Sequence, residues 1–266
     1  MHIFRRPSLR QHGAMDTLFA VYPAAGWPSI LLVLGIFVLA GAVKGVIGLG
    51  LPTVAMGLLG LVMVPAQAAA LLVVPSMVTN VWQLAAGGRF LHLARRLWPL
   101  LTGVVAGTWG TAALAGTGSQ PWAVQALGAA LVLYAASGLL AFQLRVPPRA
   151  ERLWGALAGL ATGAVTAATG VFVIPAVPYL QGLGLAKDEL VQALGMAFTV
   201  STLALAVALA RGGLLDHHQM AASLAALVPA MAGMWAGQLL RRRISSTAFR
   251  RGFFSGLGLL GLYLCF

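Results

Sequence analysis

Apolar positions in this chain run in long blocks separated by short polar connections. The blocks cover roughly 29–64, 67–87, 97–115, 122–142, 153–181, 189–210, 220–240 and 247–266. A helix needs about 20 apolar residues to cross a hydrocarbon core of about 30 Å. The pattern therefore predicts an all-α integral membrane protein with eight hydrophobic helical segments. Two blocks are too long for one straight crossing, because even about 30 helical residues reach about 45 Å. At the centre of the first stand Gly45, Gly48, Gly50 and Pro52; at the centre of the second stand Gly163, Thr166, Thr169, Gly170 and Pro175. Glycine permits irregular backbone, and proline removes a donor and blocks the preceding turn. Segments 1 and 5 are thus expected to be broken or re-entrant.

The chain also repeats itself. Residues 41–48, GAVKGVIG, align with residues 163–170, GAVTAATG, at an offset of 122. Pro52 and Pro175 follow at nearly equivalent places, and Thr79-Asn80 falls on Ser201-Thr202 at the same offset. Gly107-Thr108-Trp109-Gly110 resembles Gly233-Met234-Trp235-Ala236-Gly237 after a four-residue slip. Common order among these matches points to duplication, a recurrent feature of secondary transporters. The expected organisation is an N-terminal extension, 1–28, a first repeat, 29–142, a loop, 143–152, and a second repeat, 153–266. Glycines in small-xxx-small spacing (Gly41/Gly45, Gly103/Gly107, Gly155/Gly159/Gly163, Gly233/Gly237, Gly252/Gly256) are expected at helix–helix contacts.

Composition agrees with lipid as the solvent: 60% of residues are hydrophobic and 8% charged, with a mean hydropathy of +0.91. The net charge is +12. Its basic residues sit in short runs between apolar blocks, as the positive-inside rule produces, and not on a nucleic-acid-binding face. One cysteine, Cys265, excludes an internal disulfide or a CxxC site. The run from Ser29 is too long for a signal-peptide core and is expected to be retained. Met15 is a candidate start, since residues 1–14 differ in character from the rest. If all eight blocks cross, the arginine-rich loop 241–251 falls on the wrong side for that rule. A re-entrant segment 5 removes the conflict and leaves Arg211 as the main exception. If segments 1 and 5 are both re-entrant, the halves become inverted repeats of three crossings with the N-terminus outside.

Candidate chemistry gathers at the interruptions. Unwound backbone at membrane depth occurs only where it is buried or lines a cavity, and helix ends there present amide hydrogens suited to an anion. Lys44 is the one charge well inside an apolar block. It either snorkels to an interface or faces a polar cavity. Ser76, Asn80 and Gln83 share one side of segment 2, beside Thr79; Gln192, Thr199 and Thr202 share one side of segment 6, beside Ser201. These neutral groups either coordinate an oxyanion or hydrogen-bond between helices. The acids Asp16, Glu151, Asp188, Glu189 and Asp216 all lie in flanks, loops or segment ends. Carboxylate-mediated proton coupling is therefore not expected. Asp216-His217-His218 reads as a solvated loop rather than a metal site. No HExxH, GxSxG or Walker motif is present, so no catalytic residue and no cofactor is assigned.

The stretch Gly41-Ala-Val-Lys44-Gly45-Val-Ile-Gly48-Leu-Gly50-Leu-Pro52, with Thr166-Ala-Ala-Thr169-Gly170-Val-Phe-Val-Ile-Pro175 in the second half, resembles the TauE/SafE family of sulfite and organosulfonate exporters. The resemblance runs over nearly the whole chain from about residue 30. It implies a multi-pass permease of the cell inner membrane, not an enzyme, exporting sulfite, a sulfonate or a related small anion. The expected substrate-binding set is Lys44, Gly45, Gly48, Gly50, Pro52, Ser76, Asn80, Gln83, Thr166, Thr169, Gly170, Pro175, Gln192, Thr199 and Thr202. The expected partners are the lipid bilayer and a small anion, with no nucleic acid, and a homodimer is left open. Other readings are a transporter of another solute, such as an organic acid or metal, and a non-transporting assembly subunit.

Overall fold

A computed structural model describes residues 27–140, 145–241 and 243–266. Residues 1–26 of the expected N-terminal extension, with Arg5, Arg6, Arg10, Met15 and Asp16, lie outside the described residues, and its last two residues, Trp27 and Pro28, already belong to the first helix. The described chain is helical apart from its turns and breaks. In order, the α-helices are α1 (Trp27–Ile47), α2 (Leu51–Leu59), α3 (Pro65–Ala85), α4 (Phe90–Ala115), α5 (Ala123–Leu139), α6 (Glu151–Thr169), α7 (Ala176–Gly182), α8 (Lys187–Arg211), α9 (His217–Leu240) and α10 (Ser246–Cys265). Five of them (α1, α3, α4, α8 and α9) are long and apolar enough to cross a membrane. The chain is thus an all-helical, multi-pass membrane protein.

Helix bounds depart from the apolar blocks where polar residues extend a helix. The α4 helix starts at Phe90, seven residues before its block, and absorbs most of the loop expected over 88–96. Its early arginine Arg96 is fixed there by Glu151, which takes Nε at 2.6 Å and Nη2 at 2.9 Å. The α9 helix starts at His217, with Asp216 as its N-cap accepting from the Gln219 amide at 2.8 Å. That amide holds the exposed Asp216 carboxyl below the usual range. The α8 helix starts at Lys187, two residues before its block, where Glu189 turns back to accept from the Ala186 amide.

Both long blocks are interrupted as their glycines predict. The α1 helix ends where the Gly48 amide donates to the Lys44 carbonyl, with Gly48 at φ +83° and Gly50 at φ +105°. The α6 helix ends the same way, the Gly170 amide donating to the Thr166 carbonyl with Gly170 at φ +73°. These left-handed positions favour glycine because a Cβ would crowd the backbone. After Gly170 the chain runs non-helically through Val171, Phe172, Val173 and Ile174, all buried, to a cis Ile174–Pro175 bond.

Each interrupted block folds back on itself. The Tyr179 hydroxyl of α7 donates to the Glu151 carbonyl at the start of α6 at 3.0 Å, and the Val146 amide donates to the Gly182 carbonyl at 3.1 Å. Both ends of α6–α7 therefore lie at one end of the bundle. On the other hairpin, α1 runs parallel to α9, with Gly233 against Val38 and Gly237 against Ala42. The α2 helix then returns antiparallel to α5, with Gly57 against Leu131 and Gly60 against Leu127.

Glycine sets the two closest helix pairs. A Cβ on Gly41 or Gly45 would strike the backbone of Ala230 or Met234 in α9. On α6, a Cβ at Gly159 or Gly163 would strike the backbone of Leu100 or Val104 in α4. Such contacts give dispersion where water expulsion gives no drive. Gly252 and Gly256 of α10 differ: both are exposed and a Cβ at either meets open space. Gly41→Leu and Gly163→Leu are expected to destabilise by about 1–3 kcal/mol, the cost of overpacking, while Gly252→Leu stays within about 0.5 kcal/mol. Thermal unfolding in detergent measures the difference.

Candidate functional site

Lys44 sits in the last turn of α1, one turn before the break, and is 5% exposed. Its Nζ donates to Thr79 Oγ1 at 3.0 Å and to Asn80 Oδ1 at 2.5 Å. Both partners are committed as acceptors. Thr79 spends its own proton on the Pro75 carbonyl at 2.7 Å, and the Asn80 amide nitrogen donates to Thr202 Oγ1 at 3.3 Å. Thr202 in turn donates to the Phe198 carbonyl. One continuous chain of bonds thus links α1, α3 and α8. An ammonium has three protons to donate, and these two bonds leave one for the space beside it.

That space is a cavity of about 950 Å³, at the upper end of ordinary ligand pockets, about 300–1,000 Å³. It is lined by Lys44, Gly45, Gly48 and Leu49 of the first break, by Thr79, Trp82 and Gln83 of α3, and by Met234 and Gln238 of α9. The α7 hairpin contributes Val177 and Gln181, and α5 and α10 contribute Tyr134, Ser137, Phe253 and Phe254. Four further cations line it, Arg145, Lys187, Arg241 and Arg250, all exposed. They form a rim, with Lys44 inside. Arg250 is held by the Gly138 carbonyl at 3.1 Å and lies over the Phe254 ring, which packs edge-on against Tyr134 at 5.2 Å.

No carboxylate lines the cavity among the described residues. Three of the four described acids are used elsewhere: Glu189 pairs with Arg89 at 2.7 Å, Glu151 with Arg96, and Asp216 caps α9; the fourth, Asp188, is exposed in the first turn of α8 and does not line the cavity. Five cations therefore face one chamber without an opposing charge. Low-dielectric walls focus such a field and raise the local concentration of anions. The Gln83 Oε1 is buried and has no partner, which leaves that amide free to reorient toward a bound group.

The fold sends the sequence-derived candidates to different places. Lys44, Gly45, Gly48 and Gln83 line the cavity, and Asn80 stands directly behind Lys44. Gly50 and Pro52 form the start of α2, where Thr53 Oγ1 donates to the Gly50 carbonyl at 3.0 Å. Thr166, Thr169, Gly170 and Pro175 belong to the second break, which lies outside this cavity; a Cβ at Gly170 would meet Met56 and Ala69. Gln192 ties down the end of α3, donating to the Leu84 and Gly87 carbonyls and accepting from the Arg89 amide. Thr199 donates to the Gly195 carbonyl, Thr202 joins the Asn80 chain, and the buried Ser76 hydroxyl has no partner.

Sequence reading missed the rim. Arg145, Lys187, Arg241 and Arg250 carry a charge signal that reads equally well as topology, and only the fold-back of α6–α7 and α1–α2 brings them to one mouth. Trp82 and Gln181 carried no signal beyond their position near segment ends.

A family model described as the sulfite exporter TauE/SafE matches residues 33–264. No curated protein and no solved structure matches the chain. With the match spanning nearly the whole chain, from α1 to the end of α10, this membrane protein belongs to the TauE/SafE sulfite exporter family.

Proposed function

We propose that the chain is a permease that exports a small anion, such as sulfite, a sulfonate or a related sulfur oxyanion, captured at Lys44. The observation that carries this reading is a buried ammonium whose described partners are neutral oxygens, facing a cavity rimmed by four more cations. A lone charge at membrane depth costs about 2.5–3.5 kcal/mol on insertion scales. An anion at Lys44 relieves that cost. The Leu49 amide of the break and the Gln83 side chain then complete its surroundings, with Thr79 and Asn80 holding Lys44 from behind. Thr166, Thr169, Gly170, Pro175, Thr199 and Thr202 belong to a later part of the route. Among the described residues a cation has no carboxylate to bind here.

The two halves are proposed as inverted repeats, each a re-entrant hairpin followed by three crossings, meeting at Asn80 and Thr202. Several contacts support this. Asn80 and Thr202 differ by the 122 residues of the repeat and bond to each other, as mates on a two-fold axis do. Gly41 packs on Ala230 and Gly163 on Val104, while Gly233 packs on Val38 and Gly107 on Leu160. Each pair maps onto the other when the offset is 122 for the hairpin and 126 for the partner helix, the four-residue slip included. The basic loops then share one end of the bundle, and the positive-inside rule puts that end in the cytoplasm. Arg211 stands at the other end, over the Trp109 ring at 5.2 Å.

The direction follows from charge. An anion leaving a negative-inside cell gains about 2.3 kcal/mol per charge per 100 mV, so export runs without a coupling ion.

Lys44→Met is expected to cut sulfite efflux from loaded vesicles about 10–100-fold, the worth of a charged hydrogen bond of about 1.5–3 kcal/mol; unchanged efflux ends the reading. Neutralising Arg241 and Lys187 together, as Gln, is expected to raise KM several-fold with little change in maximal rate and to flatten the salt dependence, as loss of steering does. Reporter fusions after residues 120, 186 and 246 are expected to report outside, inside and inside. Eight full crossings would give outside at all three.

A further inference from the structure

The basic cavity opens only one half of a route. It is walled by the end of α1 and its break, the last turns of α3 and the last turns of α9. The repeat offsets assign each wall a counterpart: the end of α6 with the Gly170 break, the second half of α8, and α4 around Thr108. In this conformation none of those counterparts lines the cavity. Thr108, Thr162 and Thr166 are 0% exposed and Ser201 is 1% exposed.

Closure leaves a trace. The buried hydroxyls of Thr108, Thr162 and Ser201, one on each of α4, α6 and α8, have no hydrogen-bond partner. Thr108 borders the tight α4–α6 contact, its amide lying 2.5 Å from where a Gly163 Cβ would stand. Trp109, the next residue, donates its indole N–H to the Ala204 carbonyl of α8 at 3.0 Å, so the three helices meet there. An unsatisfied buried hydroxyl costs about 1–3 kcal/mol. Three on mutually packed helices are retained without loss if another conformation wets them.

A plug stands at the second break. Phe172, two residues past Gly170, packs its ring against Phe198 of α8 with centroids 5.3 Å apart, and both are 2% exposed. The residue equivalent to Phe172 in the first half is Gly50, which carries no side chain; Val43 and Phe253 stand where its Cβ would.

We infer that α4, α6 and α8 enclose the second half of the anion route, walled by the hydroxyls of Thr108, Thr162, Thr166 and Ser201 and held shut by the Phe172–Phe198 pair. This rests on the permease reading above and extends it. The two halves differ chemically: the open half carries Lys44 and four rim cations, whereas the counterpart of Lys44 is Thr166. A small oxyanion is gripped by charge at the basic mouth and by neutral hydroxyls alone on the far side. That asymmetry favours release at the end away from the arginines.

The test is thiol accessibility in a Cys265→Ser background, with the full chain in sealed vesicles and a membrane-impermeant methanethiosulfonate reagent. Thr108→Cys and Ser201→Cys are expected to label slowly, and only from the face opposite the basic mouth. Adding Phe172→Ala is expected to speed that labelling at least tenfold, and Phe172→Leu, a milder change, to give an intermediate rate. Gln83→Cys is expected to label from the basic mouth alone. Labelling of positions 108 and 201 from the basic mouth, or rates unmoved by both Phe172 variants, overturns the inference. Sulfite efflux by the parent protein separates the two levels. Normal efflux with unmoved labelling rejects this route and spares the permease reading. Absent efflux with the expected labelling rejects the permease reading and leaves the three-helix passage standing.

Discussion

An ammonium buried at membrane depth, with no carboxylate beside it among the described residues, is the constraint on which the rest of the site depends. Lys44 could be neutralised by an ion pair, as Arg96 and Arg89 are by Glu151 and Glu189. It is instead given two neutral acceptors, Thr79 and Asn80, each already committed elsewhere. Such partners satisfy hydrogen-bond geometry without cancelling charge. In the proposed permease the positive field projects into the cavity, where a mobile anion answers it and then leaves. A fixed carboxylate would have satisfied Lys44 permanently and closed the site to transport.

Holding that lysine requires a backbone that stops where it does. The last turn of α1 ends at Gly48 in a left-handed conformation, and α2 turns back at Gly50. Glycine at 41 and 45 lets α1 lie against α9 closely enough to fix the depth of Lys44. The same device, with Gly159 and Gly163 against α4, fixes the second break. Helix contact, helix interruption and charge placement are thus consequences of one short glycine-rich stretch used twice.

Much of this was legible in the sequence because the signals are local. Block length exposed the two interruptions, and glycine spacing marked the α1–α9 and α4–α6 contacts before their partners were known. Lys44 stood out as a charge inside an apolar run. The rest was not legible because it is made by distant segments. Nothing near Gln192 indicates that it would cap α3, 105 residues away at Gly87. The rim arginines look like topology signals until the hairpins bring their loops together. The Phe172–Phe198 contact unites two ordinary apolar positions. Gly252 and Gly256 repeat the packing spacing yet face open space, so spacing alone does not say which glycines meet a neighbour.

The most direct measurement of the central claim is an experimental structure of the full chain determined with sulfite present. The account places sulfite in the cavity within hydrogen-bonding distance of Lys44 Nζ, with Thr79 and Asn80 still holding the other two protons. Lys44 turned toward a carboxylate or out to the lipid interface, with no anion beside it, would contradict the account.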